Sequence, residues 1–194
     1  MKHISCYALD NPTCEVGFIK NLEAPEKTAA QMYEYALDYL PQNGFKQYEI
    51  SNFSVPGYAC RHNLNYWDNG PYTGLGPSAF SYIEGKRAEN VPDIRGYIKN
   101  ASCGKPAVSF SERLDRAPSA KETAAVKVRT AEGISFKWFK GKTGYDFLHL
   151  EEKALPRLFE DRLVEYIKDS DTRTGIRLTK KGILFCDIVS AAFL

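Results

Sequence analysis

The stretch YEISNFSVPGYACRHNLNYWDNGPYTGLGPSAFSY, residues 48–82, decides how this chain is read. It opens on a β-prone run, residues 47–50, and closes on another, residues 78–83, entered through Gly74 and Gly76. Between them Asn52, Pro56, Gly57, Asn69, Gly70 and Pro71 break regular structure, yet Phe53, Tyr58, Tyr66, Trp67 and Tyr72 crowd among the breakers. Ordering a long loop costs conformational entropy, so an aromatic-rich loop inside a compact domain is expected to be a lid or the wall of a site.

Upstream, residues 3–9 read as a short strand ended by Asp10-Asn11-Pro12. Ala29, Met32, Tyr33, Ala36, Leu37 and Leu40 then recur at helical spacing, with Pro25 suited to the first turn and Gly44 just past the end. Strand, helix of about fifteen residues and strand, joined by short connections, predict a βαβ unit with a parallel strand pair. A chain that opens on a strand lacks a neighbour for it, so the expectation is that more of the sheet lies elsewhere.

Downstream, Glu84-Gly85 predicts a tight turn with a returning strand over 86–91, and Asp93 a capped helix to about Ala101. Residues 102–117, rich in Ser, Gly and Pro, read as a linker. The last third predicts helices over 119–131, 135–141 and 151–166, a turn at Asp169-Ser170-Asp171, a strand at 176–178 and a closing helix capped by Thr179. In that helix Ile183, Cys186, Val189 and Phe193 mark one face. Three short helices, a two-stranded wing and a final helix are similar to a winged helix. The fold class is thus α/β, α+β taken as a whole.

At 194 residues, 43% hydrophobic and 13% aromatic, the chain can bury a core. Twenty-six basic against 24 acidic residues leave a net charge of +2, which argues for no polyanionic partner. No run approaches the length of a membrane span and the first residues lack a signal-peptide pattern, so the expected location is the cytoplasm. Cys6, Cys14, Cys60, Cys103 and Cys186 match no CxxC or zinc spacing, so reduced thiols in or near the core are expected, with no metal site.

The densest chemistry is Cys60-Arg61-His62-Asn63-Leu64-Asn65-Tyr66-Trp67. His62 suits a haem or metal ligand, a base beside a thiol, or simply a histidine bonded to backbone. Gly74 and Gly76 would let backbone approach a cofactor, although no GxGxxG, Walker A, HExxH or GxSxG motif is present. A winged helix can read DNA, and Lys137, Lys140 and Lys142 surround the second helix. Glu151, Glu152, Glu160, Asp161 and Glu165 load the helix expected next with negative charge, so nucleic acid is not the expected partner.

Residues 48–53, 56–58, 60–67 and Tyr72-x-Gly74-Leu75-Gly76 together resemble the signature of radical-SAM proteins of the oxygen-independent coproporphyrinogen III oxidase-like group, most closely the branch of HemW-type haem chaperones. His3-Ile-Ser-Cys-Tyr7 and residues 129–134 (Arg-Thr-Ala-Glu-Gly-Ile) fit the same family, so the resemblance covers nearly the whole chain. It implies the C-terminal segment of a partial (β/α) barrel with a small β-hairpin extension over 1–101, a linker over 102–117, and a winged-helix-like domain over 118–194 covering the barrel mouth. It also implies, in the whole family protein, a [4Fe–4S] cluster held by Cys-x3-Cys-x2-Cys and S-adenosylmethionine; that motif is absent here. The chain alone is therefore expected to bind no cofactor and to have no catalytic residue. Carried over, the family places Ser78, Ala79 and Phe80 near S-adenosylmethionine, with Phe80 standing where many relatives have His. It places His62 and Asn63 near haem, with Tyr66 and Trp67 as walls. Haem or porphyrin, and a missing barrel half or self-association, are the partners this implies. The competing expectation is a non-catalytic interaction module built on the winged-helix-like domain.

Overall fold

The computed structural model describes residues 1–7 and 26–194. The Asp10-Asn11-Pro12 turn, Cys14 and Pro25 lie outside the described residues. Helix α1 (Glu26–Gln42) follows the predicted periodicity and gives way at Gly44, whose φ of +84° suits glycine.

The expected parallel pair is not formed. Strand β1 (His3–Ser5) and strand β2 (Lys46–Glu49) run the same way but do not pair, because β3 (Asn52–Ser54) lies between them, antiparallel to both. Residues 50–51 fold β3 straight back onto β2, and a local hairpin closes at far lower entropy cost than a crossover. Burial drives the insertion: Phe53 is 0% exposed, and Asn52 donates to the buried Glu49 carboxylate. The stretch read as one long loop therefore holds a strand and also a helix, α2 (Arg61–Trp67).

A second sheet has the order β4-β5-β6. Strands β4 (Phe80–Ile83) and β5 (Lys86–Asn90) are joined by Glu84 and Gly85 at φ +51° and +73°, the left-handed pair of a two-residue hairpin turn. Asp93 caps α3 (Ile94–Ser102), its carboxylate accepting the Gly96 N–H at 2.6 Å. Within 102–117, read as linker, lies β6 (Val108–Arg113), antiparallel to β5. Its alternating Val-Ser-Phe-Ser-Glu-Arg pattern is that of a strand with one apolar face.

The remainder comprises α4 (Arg116–Lys127), β7 (Ile134–Ser135), α5 (Phe136–Thr143), α6 (Phe147–Leu150), α7 (Leu155–Glu160), β8 (Val164–Asp169), β9 (Thr172–Leu178), α8 (Lys180–Leu184) and α9 (Cys186–Ala192). An antiparallel sheet of order β7-β9-β8 backs the helices. The single helix expected over 151–166 is instead α7 followed by β8. Val164 is buried beside exposed Glu165 in the register of a strand, and Glu151 is itself buried, so no acidic helix face exists there. The closing helix breaks at Phe185, after Thr179 has capped α8 through the Gly182 N–H at 2.9 Å.

The core cluster is drawn wholly from residues 120–193, centred on Phe147 with the rings of Phe136, Phe139 and Phe193 at 5.2–5.8 Å. Before residue 116, Phe53 alone among the described hydrophobic side chains is buried. The two parts meet where the Ile50 N–H donates to Arg129 O and the Ala131 N–H to Tyr48 O, at 3.1 and 3.0 Å. No helix of the described residues is long and apolar enough to cross a membrane.

Candidate functional site on helix α2

Seven residues of α2 present two faces, because side chains four apart stack on the same side of a helix. His62 and Tyr66 form the outward face, both exposed, with ring centroids 4.7 Å apart and nearly perpendicular. Asn63 and Trp67 form the inward face. Asn63 donates to the Tyr48 hydroxyl at 3.1 Å, and that hydroxyl also lies 2.8 Å from His3 Nε2. Burial raises the Tyr48 pKa, with the Asn63 bond opposing it, so the phenol stays protonated at neutral pH. The Trp67 ring lies under the Arg129 guanidinium at 5.3 Å, and its buried Nε1 has no hydrogen-bond partner among the described residues. Trp67 thus braces the helix from behind, and does not stand beside His62 as a second wall.

The C-terminal end of α2 is fastened to α4. Lys127 Nζ donates to Asp68 at 2.7 Å and sits 4.9 Å over the Trp138 ring. Asn69 Nδ2 donates to Thr123 Oγ1 at 3.0 Å. Arg129 continues the tie to α9 through Asp187 at 2.5 Å. Among the described residues no hydrogen bond or ion pair engages the His62 ring nitrogens, so this imidazole is held in place through its neighbours and left open at its tip.

From Tyr66 the aromatic surface continues to Tyr72 at 4.4 Å and to Tyr82 at 6.4 Å. Tyr72 and Tyr82 exchange two backbone hydrogen bonds of 2.8 Å, which fixes the start of the glycine loop against β4. Tyr72 belongs to the signature as a loop aromatic, while Tyr82, Tyr48 and Lys127 are not among the site residues the sequence points to. Their spacing carries no motif, and only the strand register of 72 against 82 reveals the run.

Gly74 and Gly76 have structural reasons for being glycine. A Cβ on Gly74 would stand 2.1 Å from Phe80 O, and Gly76 has φ +103°. Asn90 Nδ2 donates to Gly74 O and Gly76 O at 3.2 and 2.9 Å; the Gly74 N–H donates to Ser81 Oγ, and the Gly76 N–H to Tyr97 OH. Ser78 N–H reaches Val91 O at 3.4 Å, and Ala79 O accepts from Asn90 N–H at 2.9 Å. Much of this loop's backbone polarity is spent within the chain. It therefore offers a preset surface, with Ser78 and Phe80 exposed, more than a cradle of vacant donors.

Among the described residues the donors do not gather as an iron–sulfur cluster would need. Cys6, Cys60, Cys103 and Cys186 are free and scattered, and among the described residues no three His, Cys, Asp or Glu side chains gather as metal ligands. Burial raises the Cys186 thiol's pKa, although nearby Arg129 opposes this, so it remains a thiol.

No protein-family model matches the chain. It is similar to the haem chaperone HemW of Lactococcus lactis, 32% identical over 169 residues, 87% of this chain and 43% of the relative. It is 33% identical over 171 residues to HemW of Bacillus subtilis, 88% of this chain and 44% of the relative. HemW of Buchnera aphidicola from Schizaphis graminum is 39% identical over 193 residues, 99% of this chain and 50% of the relative. The chain therefore spans about half the length of the curated relatives it matches. Among solved structures the radical-SAM coproporphyrinogen III oxidase HemN of Escherichia coli shares the fold, with TM-score 0.66 over 88% of this chain and 42% of that one at 18% identity. Over most of its length the chain thus resembles HemW-type haem chaperones, and it shares the fold of the coproporphyrinogen III oxidase HemN.

Proposed function

We propose that this chain forms the porphyrin-facing wall and the cover of a HemW-like haem-handling protein, with His62 meeting haem and no catalysis by the chain alone. The observation that carries this reading is the open His62 imidazole on a helix braced from behind by Asn63–Tyr48 and Trp67–Arg129. Neutral imidazole is a good axial ligand for haem iron, and Tyr66 supplies a flanking ring. Asn63 and Trp67 hold the helix, while Gly74, Gly76, Ser78, Ala79 and Phe80 form the adjoining rim. Residues 1–101 act as the barrel-derived part, 102–117 as the connection that contributes β6, and 118–194 as a winged-helix-like unit.

The [4Fe–4S] cluster that the resemblance implies requires closely spaced thiolates, which leave one iron open to S-adenosylmethionine. On this reading they come from sequence like the half of the relatives that this chain does not match. Exposed Met32, Tyr35 and Tyr39 on α1 give that half a surface to cover.

A haem titration followed at the Soret band tests the reading. A saturable shift is expected for the natural chain and a displaced or lost one for His62→Ala. No saturable shift, or one indifferent to His62, overturns it. Anaerobic cluster reconstitution with iron and sulfide counting tests the second part, where a stoichiometric cluster that cleaves S-adenosylmethionine overturns inactivity. A partner-docking role for the C-terminal unit is favoured by one feature. Exposed Phe185 and Ile188 line an apolar cavity of about 530 Å³ with Leu158 and Leu163, and a C-terminal fragment that co-purifies with another subunit would support that role.

A further inference from the structure

The tyrosine run from His62 ends at a cavity of about 850 Å³. Tyr82, Ile83, Pro71 and Leu114 give it apolar walls, while the end of β6, the start of α4 and the end of α5 bring Arg113, Arg116 and Lys142 to its edge. Elsewhere the chain pairs cations that stand near its inner surfaces: Arg87 with Glu112 and Glu122, Lys127 with Asp68, Arg129 with Asp187. Among the described residues, Arg113, Arg116 and Lys142 take part in no ion pair. Two carboxylates, Glu84 and Asp115, share the rim, and the Asp115 side chain makes no capping bond to α4. Three cations against two anions, beside the Tyr82 ring, suit a ligand that carries carboxylates on an apolar ring.

We propose that this cavity receives the carboxylate side chains of a tetrapyrrole whose ring lies along Tyr72 and Tyr82 towards His62; the assignment of the ring rests on the haem reading above. The two ends make separable demands. The iron end needs imidazole and is blind to the carboxylates, and the cavity end needs the carboxylates and is blind to iron.

The test uses the full chain and four probes: haem, metal-free protoporphyrin, and the dimethyl ester of each. Protoporphyrin binding is read by quenching of protein fluorescence and haem binding by the Soret band. Both free acids are expected to bind roughly tenfold more tightly than their esters, since partly solvated ion pairs contribute modestly. The triple variant R113Q/R116Q/K142Q, at three exposed positions, should remove that difference by weakening the acids and leaving the esters unchanged. A control variant K99Q/K105Q/K153Q, also at exposed positions, should leave all four affinities in place.

Equal binding of acid and ester by the natural chain overturns the proposal. So does a triple variant that weakens acid and ester alike, or a control variant that weakens the acids as much, which would mean diffuse charge attraction. If acids are preferred but His62→Ala leaves the haem spectrum untouched, the cavity stands and the iron ligand falls. If no tetrapyrrole binds at all, both fall together.

Discussion

Glu151 shows what one residue can cost. It is 1% exposed, its Oε1 has no partner among the described residues, and Lys121 stands 3.9 Å from Oε2. Burial therefore raises its pKa from 4.5 to about 7, with Lys121 opposing. The folded state binds this proton more tightly than the unfolded one, so Glu151 opposes folding only once it ionises. The penalty is absent below about pH 4.5, grows as pH rises to about 7, and is constant above. Glu151→Gln should gain roughly 3 kcal/mol at pH 8 and nothing at pH 4, read from urea unfolding across that range. A gain independent of pH would show that the carboxyl's charge is not the cause. The two loop glycines make a paired case. Gly74→Ala must move the Phe80 carbonyl and should cost ~2–3 kcal/mol, whereas Gly76→Ala meets only left-handed strain in open space, ~1 kcal/mol. Thermal melts of the two variants that ranked the other way would count against this account of the loop.

At the scale of elements, α2 is held by what surrounds it more than by itself. Seven residues are too few for a stable isolated helix, and its cap residue Cys60 makes no side-chain bond. The Lys127–Asp68 pair is therefore expected to matter beyond its own strength. Asp68→Ala leaves an ammonium 9% exposed with only the Trp138 face for company, at a cost of roughly 2–3 kcal/mol. It should also weaken haem binding without touching haem, and restoring a carboxylate with Asp68→Glu should recover part of both. Unchanged stability in Asp68→Ala would show the pair to be incidental. How legible such elements were depends on the range of the forces behind them. Local signals carried through: the periodicity of α1, the Asp93 and Thr179 caps, and the Glu84-Gly85 turn all act within a few residues. The non-local ones did not. Three residues of β3 are too short for any periodicity, yet they displaced a parallel pair because Phe53 had to be buried. Val164 and Tyr166 suit a helix or a strand in isolation, and only the partner β9 decides between them. The His62–Trp67 segment was legible as chemistry but not as two opposed faces, since a run of asparagines and aromatics does not announce a helix.

Across the whole molecule, burial is unevenly shared. One continuous core holds residues 120–193 together, while the sheets and helices before residue 116 leave Met32, Tyr35, Leu75, Ile94, Ile98 and Phe110 exposed. Where apolar burial is the main stabilising term, such a chain should not unfold as one unit. Backbone amides of α4, β9 and α9 are expected to exchange slowly with deuterated solvent, and those of α1, α3 and β6 orders of magnitude faster. Phe147→Ala removes the ring on which Phe136, Phe139 and Phe193 converge, at a cost of about 3–5 kcal/mol. The protection lost should fall on residues 116–194 as a block and leave the earlier segments nearly unchanged, because of their described hydrophobic side chains Ile50 alone packs against that core. They meet it mainly through α2 and the two backbone bonds at Tyr48 and Ile50. Adding sequence of the kind that completes the relatives should then slow exchange in α1 and α3 far more than in α9. Uniform protection along the isolated chain would mean that the exposed faces need no cover, and the proposed place of this chain within a longer haem-handling protein would lose its physical reason.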